Sequence, residues 1–322
     1  MSRAFVFPGQ GAQTIGMGQA LATAYPAAKA VFDEVDAALG ENLSRLIWSG
    51  DSAELTLTQN AQPALMATSI ATLRALEVEG LGLGHVSFVA GHSLGEYSAL
   101  CAAGSLTLSD TARLLRIRGQ AMQEAVPVGV GAMAALLGLD FETATAVAAE
   151  AAQGEVCQAA NDNDPAQVVV SGHKAAVERA VEIARVRGAK RALLLPVSAP
   201  FHCALMQPAA RVMAEALAAV PIARPSLPVV VNVRAEAVTE PDRILDLLIA
   251  QVTGSVRWRE SVLWMEKAGV IEFWEIGAGK ALSGMIKRTA ANATTRAIGT
   301  AADASPATMS PTCTCRPRRR RL

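Results

Sequence analysis

The chain has 322 residues with no formal net charge; 51% of its residues are hydrophobic and 18% are charged. This composition suits a globular body with a substantial core and gives no general attraction to nucleic acid or to a membrane surface. No apolar run is long enough to span a bilayer, no secretory signal opens the chain, and the five cysteines show no paired spacing. We therefore predict a cytoplasmic protein without disulfides.

Short strand-like segments alternate with helical stretches over most of the chain. The strands predicted for this larger unit are 4–7, 86–90, 229–233 and 270–275, and helical stretches between them include 62–77 and 205–219. Alternation of this kind favours a mostly parallel sheet with helices on both faces.

The middle of the chain has a different order of elements. It predicts strand 132–139, helix 141–152, strands 155–160 and 167–172, helix 175–188 and strand 192–197. The run 161–165 (Asn-Asp-Asn-Asp-Pro) is a strong turn sequence between the two central strands. The order β-α-β-β-α-β is typical of a ferredoxin-like unit.

These patterns predict an α/β fold with two subdomains and a tail. An α/β-hydrolase-like large subdomain (1–126 and 199–299) contains the parallel sheet, and a ferredoxin-like small subdomain (127–198) is inserted into it. From residue 300 to residue 322 the periodic pattern stops, so we expect a disordered tail with no secondary structure.

The strongest local motif is 91–95 (Gly-His-Ser-Leu-Gly), which follows a predicted strand and precedes a predicted helix. In that context G-x-S-x-G forms a nucleophile elbow, a sharp turn that exposes the serine at the end of a sheet. Free N–H groups at the start of the following helix can stabilise an oxyanion. The motif therefore predicts Ser93 as a nucleophile.

A serine nucleophile needs a base, and the chain has four histidines. His92 lies inside the elbow, where a supporting role is favoured, and the positions of His85 and His173 point away from the elbow. His202 lies where the chain returns from the small subdomain to the large one, and such a crossing lines a cleft where ligands bind. The positions favour His202 without excluding the others.

Two weaker signals flank the elbow. The glycine turn 7–11 (Phe-Pro-Gly-Gln-Gly) ends the first strand at the same edge of the sheet, and its N–H groups could complete an oxyanion hole with that of Leu94. Arg118 lies late in a helical stretch, where arginine is usually solvated. A buried arginine facing the cleft would instead select an acyl group that carries a carboxylate.

Together these residues resemble the malonyl-CoA:acyl-carrier-protein transacylase family, whose fold also serves as the acyltransferase domain of polyketide synthases. The resemblance extends from residue 5 to about residue 299. It rests on six motifs in order, at 7–13, 91–96, 118–119, 198–202, 251–258 and 275–280.

The resemblance implies a role for each matching catalytic position. Ser93 is expected to carry the malonyl group as an ester, and His202 to act as its general base and then as an acid. The backbone carbonyl of Gln251 is expected to orient that histidine. The backbone N–H groups of Gln10 and Leu94 are expected to form the oxyanion hole.

The resemblance also implies a substrate pocket and partners. Arg118 is expected to pair with the malonyl carboxylate, and Phe201 to leave little room for an α-methyl branch, while His92 and Asn161 face the pocket. The expected partners are malonyl-CoA and holo acyl carrier protein, with no metal or other cofactor, no nucleic acid and no membrane. A monomer is expected.

Other functions stay open on the sequence alone. A serine hydrolase would use the same elbow, although its histidine normally comes near the end of the fold and Arg118 would have no standard role. A relative could load a different acyl group, and a carrier-binding module could have no activity. The arginine-rich run 316–321 could suggest nucleic-acid binding, but a short basic tail is the simpler interpretation.

Overall fold

The computed structural model describes residues 2–197 and 199–305, which form two β-sheets with their helices. The strands are β1 (Ser2–Phe7), β2 (Phe88–Gly91), β3 (Gly131–Leu137), β4 (Cys157–Asp164), β5 (Gln167–His173), β6 (Arg191–Leu194), β7 (Val229–Val231), β8 (Glu236–Val238), β9 (Val270–Ile276) and β10 (Thr294–Ile298). The helices are α1 (Gln19–Ala24), α2 (Pro26–Leu39), α3 (Leu43–Ser49), α4 (Ser52–Thr56), α5 (Thr58–Val78), α6 (Leu94–Ala102), α7 (Leu108–Glu124), α8 (Phe141–Ala152), α9 (Lys174–Val186), α10 (Gln207–Ala218), α11 (Pro241–Thr253), α12 (Trp258–Lys267), α13 (Ala281–Thr289) and α14 (Ala301–Ala304).

The larger sheet has the strand order β10-β9-β1-β2-β7-β8. Its strands run parallel except for β8, which pairs antiparallel with β7. Along β1, Phe5 and Phe7 enter one hydrophobic core, whereas Ala4 and Val6 enter another on the opposite face. A strand buried on both faces is expected for a parallel sheet between helices, so the predicted α/β class is confirmed.

Helices α5 and α7 pack closely against each other, and this packing places two site residues together. Helix α5 is buried over most of its 21 residues. A Cβ atom on Gly119 of α7 would lie only 2.5 Å from the Cα atom of Gln59 on α5, so glycine is required there. The close approach brings Arg118 of α7 within hydrogen-bonding distance of Gln62 on α5.

The smaller sheet is antiparallel with the order β4-β5-β3-β6, and helices α8 and α9 pack against it around a separate core. Its chain order is β3-α8-β4-β5-α9-β6. This is the β-α-β-β-α-β order that the sequence predicts, and all six elements lie inside the range 127–198.

The turn predicted at 161–165 is wrong for its first four residues. Strand β4 continues to Asp164, and the chain turns only at residues 165–166. The carboxylates of Asp162 and Asp164 are fully buried and form salt bridges with Arg259 (2.9 Å) and Arg288 (2.8 Å) of the large subdomain. Partners supplied by the other subdomain therefore override the local turn preference of these polar residues.

The tail prediction is wrong for its first residues. Helix α14 (Ala301–Ala304) begins with a capping box between Thr300 and Asp303. The remaining tail, 306–322, with its two cysteines and its arginine run, lies outside the described residues. Among the residues that the structure describes, Cys101, Cys157 and Cys203 are free and buried, and no helix is long and apolar enough to cross a bilayer.

Candidate active site

Ser93 occupies the sharp turn between β2 and α6, so the strand-turn-helix context predicted for the elbow is confirmed. Its backbone has φ 54° and ψ −111°, a conformation that residues other than glycine rarely adopt. A Cβ atom on Gly91 would lie 1.9 Å from the carbonyl carbon of Gly95, and one on Gly95 would lie 2.2 Å from the carbonyl oxygen of Phe7. Both glycines are therefore required for the turn to close.

His202 is the histidine that reaches the serine. Its Nε2 atom lies 2.8 Å from Ser93 Oγ, and its Nδ1 atom lies 2.9 Å from the backbone carbonyl oxygen of Gln251. Because a carbonyl oxygen only accepts hydrogen bonds, Nδ1 carries the hydrogen and the lone pair of Nε2 faces the serine hydroxyl. Burial, followed by the nearby Arg118 charge, lowers the pKa of His202 to about 3. The ring is therefore neutral near pH 7 and can accept a proton from Ser93.

The other three histidines do not contact the serine hydroxyl. His92 Nε2 lies 2.9 Å from Asn163 Oδ1 of the small subdomain, and burial lowers the pKa of His92. His173 accepts a hydrogen bond from the backbone N–H of Val156, and His85 is exposed. The structure thus places His202 at the serine and His92 at a contact between the two subdomains.

Arg118 is a buried cation beside the serine. Its guanidinium donates to Ser93 Oγ (3.2 Å), to Gln251 Oε1 (2.8 Å) and to Gln62 Oε1 (2.7 Å), and its Nε atom has no partner. Among residues 2–197 and 199–305 no carboxylate forms a salt bridge with it, and burial lowers its pKa. Because a buried charge is unfavourable without a counter-charge, this position is suited to receive an anion.

A cavity of about 530 Å³ lies between the two subdomains and opens onto this group. It brings together eight of the nine residues that the sequence singled out, namely Gln10, His92, Ser93, Leu94, Arg118, Asn161, Phe201 and His202. The ninth, Gln251, does not line the cavity but contacts both Arg118 and His202.

Gln10 and Leu94, the two residues expected to supply the oxyanion hole, both line this cavity. Leu94 is the first residue of α6, where an N–H group has no partner within the helix. The Gly9 turn packs onto the elbow so closely that a Cβ atom there would lie 2.7 Å from the carbonyl oxygen of His92. This packing brings Gln10 to the elbow and makes its N–H and that of Leu94 candidate donors to an oxyanion.

Sequence reasoning missed the polar residues that hold this site together. Asn232 Oδ1 accepts the backbone N–H of Ser93 (2.7 Å), while Glu96 Oε2 accepts the backbone N–H of Asn232 (2.8 Å) and Gln251 Nε2 (2.9 Å). The unassigned residues of the site are Gln62, Glu96, Asn163 and Asn232. Glu96 directly follows the elbow 91–95 and ends the longer family motif 91–96, and Asn163 lies two residues after Asn161, so both had a local signal. Nothing local marks Gln62 or Asn232.

Comparison with known proteins identifies the family of this fold and site. The family model described as "Acyl transferase domain" matches residues 4–314. The chain is 47% identical over 296 residues to the malonyl CoA-acyl carrier protein transacylase of Escherichia coli K12, covering 92% of this chain and 95% of the relative. The chain belongs to the malonyl-CoA-acyl carrier protein transacylase family.

Solved structures of malonyl transacylases share the architecture. The acyl-carrier-protein S-malonyltransferase of Bartonella henselae superimposes with a TM-score of 0.93 at 54% identity, covering 96% of this chain and 99% of that chain. A malonyl-transacylase in complex with its type II PKS acyl-carrier protein superimposes with a TM-score of 0.92 at 42% identity, covering 94% of this chain and 98% of that one. The two-subdomain fold is thus the fold of this transacylase family.

Proposed function

We propose that this acyltransferase moves a malonyl group from malonyl-CoA to the phosphopantetheine thiol of holo acyl carrier protein through a malonyl ester on Ser93. The observation that carries the proposal is the buried guanidinium of Arg118, which lies 3.2 Å from the same Ser93 Oγ that His202 contacts at 2.8 Å. A nucleophile, a base and a cation without a direct salt bridge among the described residues therefore meet at one point, as transfer of an acyl group with a free carboxylate requires.

In the first half-reaction His202 Nε2 removes the proton from Ser93 Oγ as that oxygen attacks the thioester carbonyl carbon. The oxyanion that forms accepts hydrogen bonds from the backbone N–H groups of Gln10 and Leu94, each worth about 3–4 kcal/mol at the transition state. The intermediate then collapses, the carbon–sulfur bond breaks, and the proton on His202 goes to the departing CoA thiolate. The product is a malonyl ester on Ser93.

The second half-reaction repeats these steps with a different thiol. His202 takes the proton from the phosphopantetheine thiol, and the sulfur attacks the ester carbonyl through the same oxyanion. Ser93 Oγ leaves and recovers its proton from His202. Because a thioester is exchanged for an ester and then for another thioester, the same donors and the same base serve both directions.

Selectivity is assigned to the two cavity residues on either side of the acyl group. The carboxylate of malonyl pairs with Arg118, and Phe201 restricts the space for an α-methyl branch.

The hydrolase alternative fits the site less well. In serine hydrolases a carboxylate normally orients the histidine, whereas here the partner of His202 Nδ1 is the peptide carbonyl of Gln251. We further propose that the protein acts as a monomer in the cytoplasm, without nucleic acid or membrane. The three cysteines among the described residues are free and buried, which supports a reducing compartment.

The test is to incubate the protein with radiolabelled malonyl-CoA, quench the reaction and locate the label by peptide mass. We expect a label on Ser93 that moves onto holo carrier protein and is absent in Ser93→Ala. Release of the label as free malonate at the same rate with and without carrier would instead support the hydrolase. A wild-type protein that acquires no label at all would overturn the proposal.

A further inference from the structure

Glu96 is a buried carboxyl group beside the candidate active site to which the proposed reaction gives no role. It lies in the first turn of α6, three residues after Ser93, and its side chain is 1% exposed. Oε2 accepts hydrogen bonds from the Asn232 backbone N–H and from Gln251 Nε2, whereas Oε1 is buried with no partner among the described residues. A carboxyl oxygen in that situation is available to carry a proton.

The amide of Gln251 connects this carboxyl group to Arg118. Its Nε2 donates to Glu96 Oε2 (2.9 Å), and its Oε1 accepts from the Arg118 guanidinium (2.8 Å). Arg118 forms no direct salt bridge within residues 2–197 and 199–305, so this carboxyl–amide–guanidinium chain is how Glu96 reaches it. A buried cation and a buried carboxylate joined in this way offset each other while the cavity contains no anion.

A second anion in the cavity changes the charge balance between Arg118 and Glu96. When a malonyl carboxylate pairs with Arg118, two negative charges share one buried cation, and the interior does not screen them as water does. The charge that can be removed is that of Glu96, because malonyl remains ionised near pH 7.

We propose that Glu96 is the internal counter-charge of Arg118, acting through the Gln251 amide, and that it takes up a proton when a malonyl carboxylate enters the cavity. Glu96 is a positioning residue, since it contacts neither the acyl group nor the reacting atoms. The inference rests on the proposed function, because it requires malonyl at Arg118.

The titration behaviour of the surrounding groups supports this assignment. Burial raises the pKa of Glu96 to about 7, although hydrogen bonds from Gln251 and Asn232 and the Arg118 charge lower it. The other titratable groups around it do not change charge between about pH 7 and about pH 9. They are His202, with a pKa lowered to about 3, His92, with a lowered pKa, Tyr97, with a pKa raised to about 12, and Arg118 itself.

The sign of the pH effect follows from linkage. A bound carboxylate raises the pKa of Glu96 further, so between the free and the bound pKa the complex holds one more proton than the empty protein. Malonyl binding therefore weakens as the pH rises above about 7. Acetyl-CoA has no carboxylate, so its binding is expected to take up no proton at Glu96.

The experiment measures malonyl-CoA binding to Ser93→Ala, which cannot be acylated, by calorimetry in two buffers of different ionisation enthalpy. We expect proton uptake near pH 7.5 with malonyl-CoA but not with acetyl-CoA, and a Kd for malonyl-CoA that rises about fivefold from about pH 7 to about pH 9. In Ser93→Ala/Glu96→Gln, proton uptake is expected to vanish and the Kd to become nearly independent of pH.

Equal proton uptake with both thioesters, or uptake that persists in Glu96→Gln, would overturn the inference. If the double variant does not fold, the comparison of malonyl-CoA with acetyl-CoA on Ser93→Ala still decides, because no uptake with malonyl-CoA contradicts the role of Glu96. These outcomes are separate from failure of the proposed function, which would appear as an unlabelled Ser93 in the wild-type protein.

Discussion

Replacing Arg118 with alanine tests the proposed acyl selectivity most directly. In the wild-type protein the guanidinium is 1% exposed and forms no salt bridge with any described residue, so a malonyl carboxylate would meet it without competition from water. A charge-assisted hydrogen bond contributes about 1.5–3 kcal/mol, so a bidentate pair is worth about 4 kcal/mol. At about 1.4 kcal/mol for each factor of ten, Arg118→Ala should lower kcat/KM for malonyl-CoA about 1,000-fold.

The quantity to measure is the ratio of kcat/KM for malonyl-CoA to kcat/KM for acetyl-CoA, because both substrates then report on the same protein sample. Arg118→Ala also leaves Gln62 Oε1 and Gln251 Oε1 without their donor, and any resulting loss of stability or alignment affects both thioesters alike. We expect kcat/KM for acetyl-CoA to change less than about tenfold, so the ratio falls at least about 100-fold.

A matched control is available on the same helix. Arg113 of α7 has a half-exposed side chain that pairs with Asp110, away from the cavity lining, so Arg113→Ala should leave the malonyl-to-acetyl ratio unchanged. If Arg118→Ala lowers kcat/KM for both thioesters by the same factor, Arg118 supports the site without recognising the carboxylate, and our reasoning on selectivity is refuted.

Three further predictions concern stability and folding. The pKa of His202 is about 3 in the folded protein and 6.5 ordinarily, so below pH 6.5 the unfolded chain binds a proton that the folded protein does not. The unfolding free energy should therefore fall by about 2 kcal/mol between pH 6.5 and pH 5 because of this group. An equal fall in His202→Gln would contradict this prediction. Arg259→Ala removes the partner of the fully buried Asp162 carboxylate and should lower the unfolding free energy by about 3 kcal/mol in urea titration. Arg243→Ala cuts two exposed ion pairs, with Glu236 and Glu240, and should lower it by less than about 1 kcal/mol; equal losses in the two variants would contradict this. Gly91→Ala places a Cβ atom 1.9 Å from the backbone of α6 and should abolish soluble expression or acylation. In the control Gly84→Ala the new Cβ atom has nothing within 4 Å, so neither property should be lost. Normal activity in Gly91→Ala would disprove the tight turn.

The parts of the site that the sequence could predict are those formed by consecutive residues. The elbow 91–95 requires glycine on both sides of the serine because two backbones meet there, and this requirement is visible in the sequence itself. The ferredoxin-like order was predictable for the same reason, because each short helix or strand has its own hydrophobic periodicity in consecutive residues. The turn predicted at 161–165 failed because the partners of its aspartates, Arg259 and Arg288, are about 100 residues away in the chain.

The sequence by itself determined the chain's α/β class, its inserted subdomain and the serine on its elbow. Only the tertiary structure decided that His202 meets a serine 109 residues earlier in the chain, that Arg118 is buried without a salt bridge among the described residues, and that Glu96 reaches it through Gln251. The physical reason is that turns and periodic elements depend on neighbouring residues, whereas hydrogen bonds, burial and pKa depend on which distant segments the fold brings together.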